Sequence, residues 1–331
     1  MNTLFVLLDG AEDHHLPELG GCKPLDVAKM PYLESKAPFR YSSEGRSYTH
    51  RFLIELFTGH PPRTPRGALE ALGLDMNMSR GRVAYRLSPA MIGNGSIEWA
   101  YCIEEQVPEL MRVVQSHMEV IGHMSPDLNF FLKGRAVLTL DCDQVMDLPS
   151  PPVPAPMGAV EGCLGDLVKS VADAMDGLTV LPWGGGRLEE EADMAVDISP
   201  LTTISNSPTA LGISKALGQK ALRVEDLADR FPSAARELER GNVLLHVDET
   251  DEYSHQRRAD VKVGILEETD CLMQEHFPDI ERLVYLVDHG TSCLTGEHLP
   301  VQVPVWTSFD LGRGVGDHIP LPDLMRALTR L

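Results

Sequence analysis

Residues 282–292 read "RLVYLVDHGTS": an unbroken apolar run that stops on an aspartate and a histidine. A strand with no polar alternation is one covered on both faces, as in the parallel sheets of α/β proteins. Two other stretches have the same form: "TLFVLLDG" (3–10) and "VLLHVDETDEYSH" (243–255). In an open parallel sheet the carboxyl ends of the strands line the ligand crevice. Three separate elements are therefore expected to carry Asp9, His246, Asp251, His255, Asp288 and His289 to one rim. His298, in "GEHLPVQVPVW" (296–306), follows closely enough to join them. Asp251 and His255 are four residues apart and share a face if that turn is helical.

Beyond these stretches, short β-rich runs alternate with helical patterns, which predicts an α/β fold with a mainly parallel sheet. "AVLTL" (136–140) and "GLTVLPW" (177–183) are further strands, and helices are expected over 51–57, 104–122, 159–175, 208–217, 259–276 and 321–330. The proline-rich "LPSPPVPAPMGA" (148–159) lacks donors and fixes φ, so it reads as a stiff linker. A chain of 331 residues has room for two domains. Its net charge of −20 argues against a nucleic-acid partner, whose phosphates need a basic face. An anionic substrate would have to be met by local cations: a metal, an arginine or a helix N-terminus. The start "MNTLFVLLDG" has no basic leader and only a short apolar run, unlike a signal peptide, and no run is long enough for a membrane helix. A cytoplasmic protein without membrane contact is expected. The six cysteines are scattered with no CxxC pair, which fits reduced thiols rather than a disulfide framework.

Oxygen and nitrogen ligands without thiolates suit Zn²⁺ or Mn²⁺, with Mg²⁺ or Fe²⁺ also admissible. Six or seven such residues exceed one tetrahedral shell and divide between two divalent ions, which at about 3.5–4 Å apart can clamp both oxygens of a phosphoryl transfer. A further stretch, "THRFLIELFTGHPP" (49–62), opens a helix on Thr49. A threonine there caps free amides. It is equally placed to receive a phosphoryl group among the positive ends of the helix dipoles.

The order Asp9, Thr49, Asp251/His255, Asp288/His289, His298 resembles that of the alkaline phosphatase superfamily. Within it the chain most resembles the archaeal-type cofactor-independent phosphoglycerate mutases, on four stretches: "LFVLLDGAEDHHLPELGGCKPLDVAKMPYLE" (4–34), "PRGALEALGLDMNMSRGRVAYR" (65–86), "HVDETDEYSHQRRADVK" (246–262) and "LVDHGTSCLTGEHLPVQVPVW" (286–306). The resemblance implies an α/β core, 1–65 and 151–331, interrupted by a smaller inserted α+β domain at 66–150. It implies one ion on Asp9, Asp288, His289 and the nucleophile, and a second on Asp251, His255 and His298. Lys262 matches a family lysine near the substrate, and His246 reads as a supporting or simply buried histidine. The nucleophile is Thr49 by its spacing to "TG" (58–59), as in the sulfatase and nucleotide-pyrophosphatase branches, or Ser47 if "RSYT" (46–49) matches the mutase serine.

Substrate recognition departs from the pattern. Where the mutases carry an arginine-rich run, "GSIEWAYCIEEQVPEL" (95–110) has no arginine, and their Arg-Gly-Pro-Gly turn is "WGGG" (183–186). Arg63, Arg66, Arg82, Arg86 and Arg112 remain nearby in sequence. The implied function is two-metal phosphoryl transfer on a small phosphorylated or phosphonate metabolite through a phosphothreonine. The alternatives are a metal-dependent phosphatase, a phosphonate or sulfo-ester hydrolase, or a non-catalytic metal-binding homologue. The sequence leaves the oligomeric state open.

Overall fold

A computed structural model of the chain describes residues 1–79, 81–93, 95–146, 155–156, 160–191, 198, 200–312, 314 and 317–329. The chain divides into two compact units, Met1–Pro62 with Glu191–Leu331, and Arg63–Glu190.

The first unit is built on a seven-stranded sheet. Its order is Lys220–Arg223, Leu201–Ser205, Asn242–Val247, Leu4–Leu8, Leu283–Val287, Gln302–Thr307, Phe39–Glu44. The first five strands are parallel, and Gln302–Thr307 alone runs against them, antiparallel to both its neighbours, so the sheet is mainly parallel, as its apolar runs predict. Every residue of Leu4–Leu8 and Leu283–Val287 is buried, the condition of strands covered by helices on both faces. The three runs singled out in the sequence are adjacent at the centre. Their ends are flush, because Leu8 is level with both Val247 and Val287. Asp9, Asp248 and Asp288 each follow one of these three residues and so leave the sheet at one height.

The second unit has its own sheet, ordered Asp127–Phe131, Arg135–Asp141, Arg82–Gly93, Ser96–Trp99, Ala155–Pro156, with Leu178–Gly186 also paired to Arg82–Gly93. Along Arg82–Gly93 the pleat sends Val83, Tyr85 and Leu87 into a core with helices Val107–Ser116 and Gly162–Ala174. Ala84 goes to the other face, with Ala68 and Ala71 of the helix Arg66–Gly73. That second face holds a buried ionic cluster. Glu70 takes Arg66 Nε at 2.8 Å and a short contact from Arg86 Nη1, while Arg86 lies over the Phe131 ring and Arg66 over that of Trp183.

The sequence places the insert at 66–150. The compact unit runs on to Glu190, because Leu178–Gly186 pairs along most of Arg82–Gly93 and Gly162–Ala174 packs beneath it. The proline-rich segment 148–159 therefore does not mark the return to the core. Apart from the two-residue strand Ala155–Pro156, it lies outside the described residues. Among the described residues no helix is long and apolar enough to cross a membrane.

Candidate metal centre

Asp9, just past Leu4–Leu8, is buried and surrounded by donors. His246 Nε2 donates to its Oδ2 at 2.8 Å, and Thr49 Oγ1 lies 3.1 Å from Oδ2 and 3.3 Å from Oδ1. Burial would push Asp9 up, but its hydrogen bond to His246 and the neighbouring His289 hold it below the usual carboxylate range. His246 is fully buried one residue before the end of its strand, and its Nδ1 meets Ser205 Oγ at 2.8 Å. Ser205 closes the neighbouring strand, whose register sets Ile204 beside Leu245. With the Ser205 hydroxyl given to Nδ1, Nε2 is the protonated nitrogen and the ring serves as a brace for Asp9.

The next strand brings Asp288 and His289. His289 Nε2 lies 3.2 Å from Asp9 Oδ1 and 3.3 Å from Asp288 Oδ2. Among the described residues neither His289 Nε2 nor Asp288 Oδ2 has a hydrogen-bond partner, though both are buried. Orphaned buried polar atoms are costly. The group answers its excess negative charge by holding protons. Burial and the Asp9 charge push Asp288 up to about 7. Burial works against a charged His289, yet Asp288 and Asp9 carry it up to about 10. A bound cation would replace those protons.

A second cluster forms on the short helix Glu249–His255, which gives Asp251 and His255 the common face that a spacing of four implies. His255 Nε2 is 3.2 Å from Asp251 Oδ2, His298 Nε2 is 3.4 Å from Asp251 Oδ1, and the two Nε2 atoms are 3.1 Å apart. Each ring is aimed by its other nitrogen: His255 Nδ1 donates to Gly296 O at 2.6 Å, and His298 Nδ1 to Ser47 O at 2.7 Å. Those bonds assign the proton of each neutral ring to Nδ1, leaving two Nε2 lone pairs face to face. A shared cation, or a proton carried by one ring, makes that favourable. A proton on His298 is disfavoured, since burial and the nearby His289 push it down to about 4.

The fit to a metal can be tested on these separations. Two ligands held at about 2.0–2.1 Å by a tetrahedral ion lie about 3.3–3.4 Å apart. The five contacts above run from 3.1 to 3.4 Å. Asp9, Asp251 and His289 form one candidate group and Asp251, His255 and His298 another. Asp251 belongs to both, so it lies between the two ligand sets that the sequence separates. The His289 and His298 rings are 4.4 Å apart at their centroids, so the two groups are immediate neighbours.

Thr49 is the first residue of the helix Thr49–Thr58, with Tyr48 before it in the cap position. Its hydroxyl faces Asp9 and does not cap the helix. Ser47, the alternative in the sequence, turns its carbonyl to His298. Lys262 has a different setting from the substrate-side one its sequence suggests. It is fully buried, and its three donors meet Glu12 O, Asp13 Oδ2 and Thr291 O at 3.0–3.1 Å. It ties the segment after Asp9 to the segment after His289.

Two supports escaped the sequence reading. Ser205 ends a strand, "LTTIS", whose threonines and serine hide a fully buried run. Arg230 is wholly buried in the helix Leu227–Leu238, and reaches His246 O, Asp248 and Glu249 at 2.8–3.1 Å, anchoring the turn that leads to Asp251. A lone arginine in an amphipathic helix carries no signal for that role.

No family model matches the chain. It is 23% identical to the 2,3-bisphosphoglycerate-independent phosphoglycerate mutase of Picrophilus torridus, with 93% of this chain and 88% of that protein covered. It is also 23% identical to the mutase of the same description from Pyrococcus furiosus, covering 91% and 87%. Among solved structures, a Pyrococcus horikoshii protein superposes with a TM-score of 0.70 at 18% identity, covering 100% of this chain and 98% of that one. The cofactor-independent phosphoglycerate mutase of Thermoplasma acidophilum superposes with a TM-score of 0.54 at 17% identity, covering both chains fully. The resemblance read from four motifs thus extends over nearly the whole chain, at the identity of a divergent relative.

Proposed function

We propose that the chain is a metal-dependent phosphoryl-transfer enzyme with Thr49 as its nucleophile. The observation that carries this reading is the buried set of ligand atoms at tetrahedral spacing, with His289 Nε2 and Asp288 Oδ2 lacking partners. The mutases with which the chain aligns over nine-tenths of its length support the reaction class.

Asp9, Asp288 and His289, with Thr49, would hold one divalent ion, and Asp251, His255 and His298 the other, with Asp251 in reach of both. Bound there, the ions would act as Lewis acids that favour the ionised hydroxyl and offset the charge of the transferring group. The chain's own residues do the rest. Thr49 Oγ1 points its proton at Asp9, and His246 keeps Asp9 ionised and fixed. Thr49 Oγ gives up its proton and bonds to phosphorus, the ester P–O bond breaks, and the leaving oxygen takes up one proton in its place. The phosphothreonine then passes its phosphoryl group to a second hydroxyl, or to water. Burial of Asp9, Thr49, His246, Asp288 and His289 strengthens the charge interactions on that side of the site, while Asp251, His255 and His298 are partly exposed.

The substrate class is a small phosphorylated or phosphonate metabolite. One observation favours hydrolysis, or a substrate other than phosphoglycerate. Of the arginines left near the altered motifs, Arg66 and Arg86 are engaged with Glu70 inside the second unit, and Arg82 with Asp141 and Thr139. Bidentate arginine contacts to carboxylate and phosphate are what mutase chemistry asks for.

The test is to expose the metal-loaded protein briefly to a phosphate ester, quench in acid, and map phosphate by peptide mass spectrometry. Phosphate is expected on Thr49, and Thr49→Ala should lower turnover by orders of magnitude. Label on Ser47 would move the nucleophile. Label on neither residue, with Thr49→Ala fully active, would remove the covalent step. Both phosphoglycerates, assayed beside a panel of phosphorylated and phosphonate metabolites, decide between mutase and hydrolase.

A further inference from the structure

Thr291 lies two residues beyond His289 and is fully buried. Its hydroxyl touches one ligand from each group: Oγ1 is 2.5 Å from Asp251 Oδ1 and 3.2 Å from His289 Nδ1. A hydroxyl has one proton to give. Asp251, as a carboxylate, can only accept it, so the His289 contact must run the other way, from Nδ1–H, which the Thr291 oxygen shares with the Gly290 carbonyl at 3.1 Å. This polarity has two results. The Asp251 carboxylate is turned and held, and the Thr291 oxygen joins the Gly290 carbonyl in keeping the proton of the neutral His289 ring on Nδ1, with its lone pair on Nε2, the atom facing Asp9 and Asp288. Both residues are thereby in the form a metal needs. Ligand histidines are commonly oriented through the other ring nitrogen in this way.

The backbone is built to hold this one oxygen in place. Thr291 N donates to Gly10 O at 3.1 Å and to Glu12 O at 2.9 Å, and Thr291 O accepts from Lys262 at 3.0 Å. Across a two-strand ladder Thr291 is registered against His298. A Cβ on Gly10 would lie 2.5 Å from Thr291 Oγ1 and 2.7 Å from Asp251 Oδ1, so the hydroxyl–carboxylate pair fills the space where a side chain at position 10 would stand. Gly10 also has φ +62°, which L side chains rarely adopt.

We propose that Thr291 is a positioning residue shared by both metal groups, its single hydroxyl coupling the orientation of Asp251 to that of the His289 ring. The proposal rests on the two-metal reading above, and the two can fail separately. The experiment is calorimetric titration of chelator-treated protein with Mn²⁺ alone, for the wild type and for Thr291→Val, Thr291→Ala and Thr291→Ser. All four keep the backbone bonds of residue 291. The wild type should take up two ions. Val and Ala should weaken both ions by about 10–100-fold, the usual cost of losing an orienting partner. Ser, which keeps the hydroxyl, should restore both to within a few-fold. Ala carries the measurement if the added methyl of Val prevents folding. Weakening confined to one ion, or a Ser variant as weak as Ala, overturns the shared role. Two ions bound by the wild type and by Ala with equal affinity also overturn it, while leaving the two-metal reading intact. A wild type that binds no Mn²⁺ overturns both.

Discussion

Replacing His246 with phenylalanine should weaken one of the two proposed ions and spare the other. The ring is wholly buried, and phenylalanine fills nearly the same volume, so what is lost is polar: the 2.8 Å bond from Nε2 to Asp9 and the 2.8 Å contact of Nδ1 with Ser205. A hydrogen bond to a charged group contributes about 1.5–3 kcal/mol. Since 1.4 kcal/mol is about tenfold in affinity, the ion held by Asp9, Asp288 and His289 should bind about 10–100-fold more weakly. The ion on Asp251, His255 and His298 has no contact with His246 and should keep its affinity within a few-fold. The sign of the pH effect follows. The His246 bond favours ionised Asp9, so its loss raises the Asp9 pKa, and protons displace the ion at a higher pH in the variant than in the wild type. Two-site calorimetry with Mn²⁺ at several pH values measures each of these. Equal weakening of both ions, or unchanged affinity for the ion on Asp9, would refute the bracing role of His246.

Glu70→Gln should destabilise the protein by about 3–5 kcal/mol, because it leaves the buried Arg86 without its carboxylate; a denaturant titration that follows the second unit reads it. Opposed by burial but held by Arg86 and Arg66, the Glu70 carboxyl sits at about 2, below its ordinary range. Its contribution is therefore complete above that ordinary range and is lost as pH falls toward 2, so the stability gap between wild type and variant should close in acid. Lys262→Met separates the structural role of that lysine from a substrate-side one. A tie among Glu12, Asp13 and Thr291 predicts a loss of about 3–5 kcal/mol, since the buried Asp13 carboxylate loses its countercharge and keeps only the N–H groups of His14 and Cys293. A fully stable variant with raised KM alone would restore the role its motif suggests.

The candidate rim was legible in the sequence because its signal is local: an apolar run marks a buried strand, and the residue after it falls at the carboxyl edge. That is why Asp9, Asp288 and His289 could be brought to one rim from the strand ends, although their division between two ions came from the family resemblance, and why the spacing of Asp251 and His255 implied a shared face once that turn is helical. The supports were not legible, because they act across strands. Ser205 matters only because its strand lies next to that of His246. The tautomers of His255 and His298 depend on the carbonyls of Gly296 and Ser47, which sequence does not show. The strand Arg82–Gly93 was missed because Arg86 and Pro89 interrupt its apolar pattern, though Arg86 is buried through its pair with Glu70. The inserted unit's end was placed early for a related reason. Prolines at 148–159 suggested a boundary, while the pairing of Leu178–Gly186 with Arg82–Gly93 is a long-range fact.

The central strand, Leu4–Leu8, is made long before both its neighbours in the sheet. His246 follows Asp9 by 237 residues, and Asp288 follows Gly10 by 278. At synthesis rates of roughly 5–20 residues per second, the first strand waits between about a quarter of a minute and a minute for the partners that cover its edges. The second unit, Arg63–Glu190, is continuous in sequence and emerges complete during that interval. An apolar strand ending in a carboxylate thus stays unpaired while a whole domain is made. The nascent chain has to keep it from pairing elsewhere, and the metal centre cannot exist until the sheet closes around it.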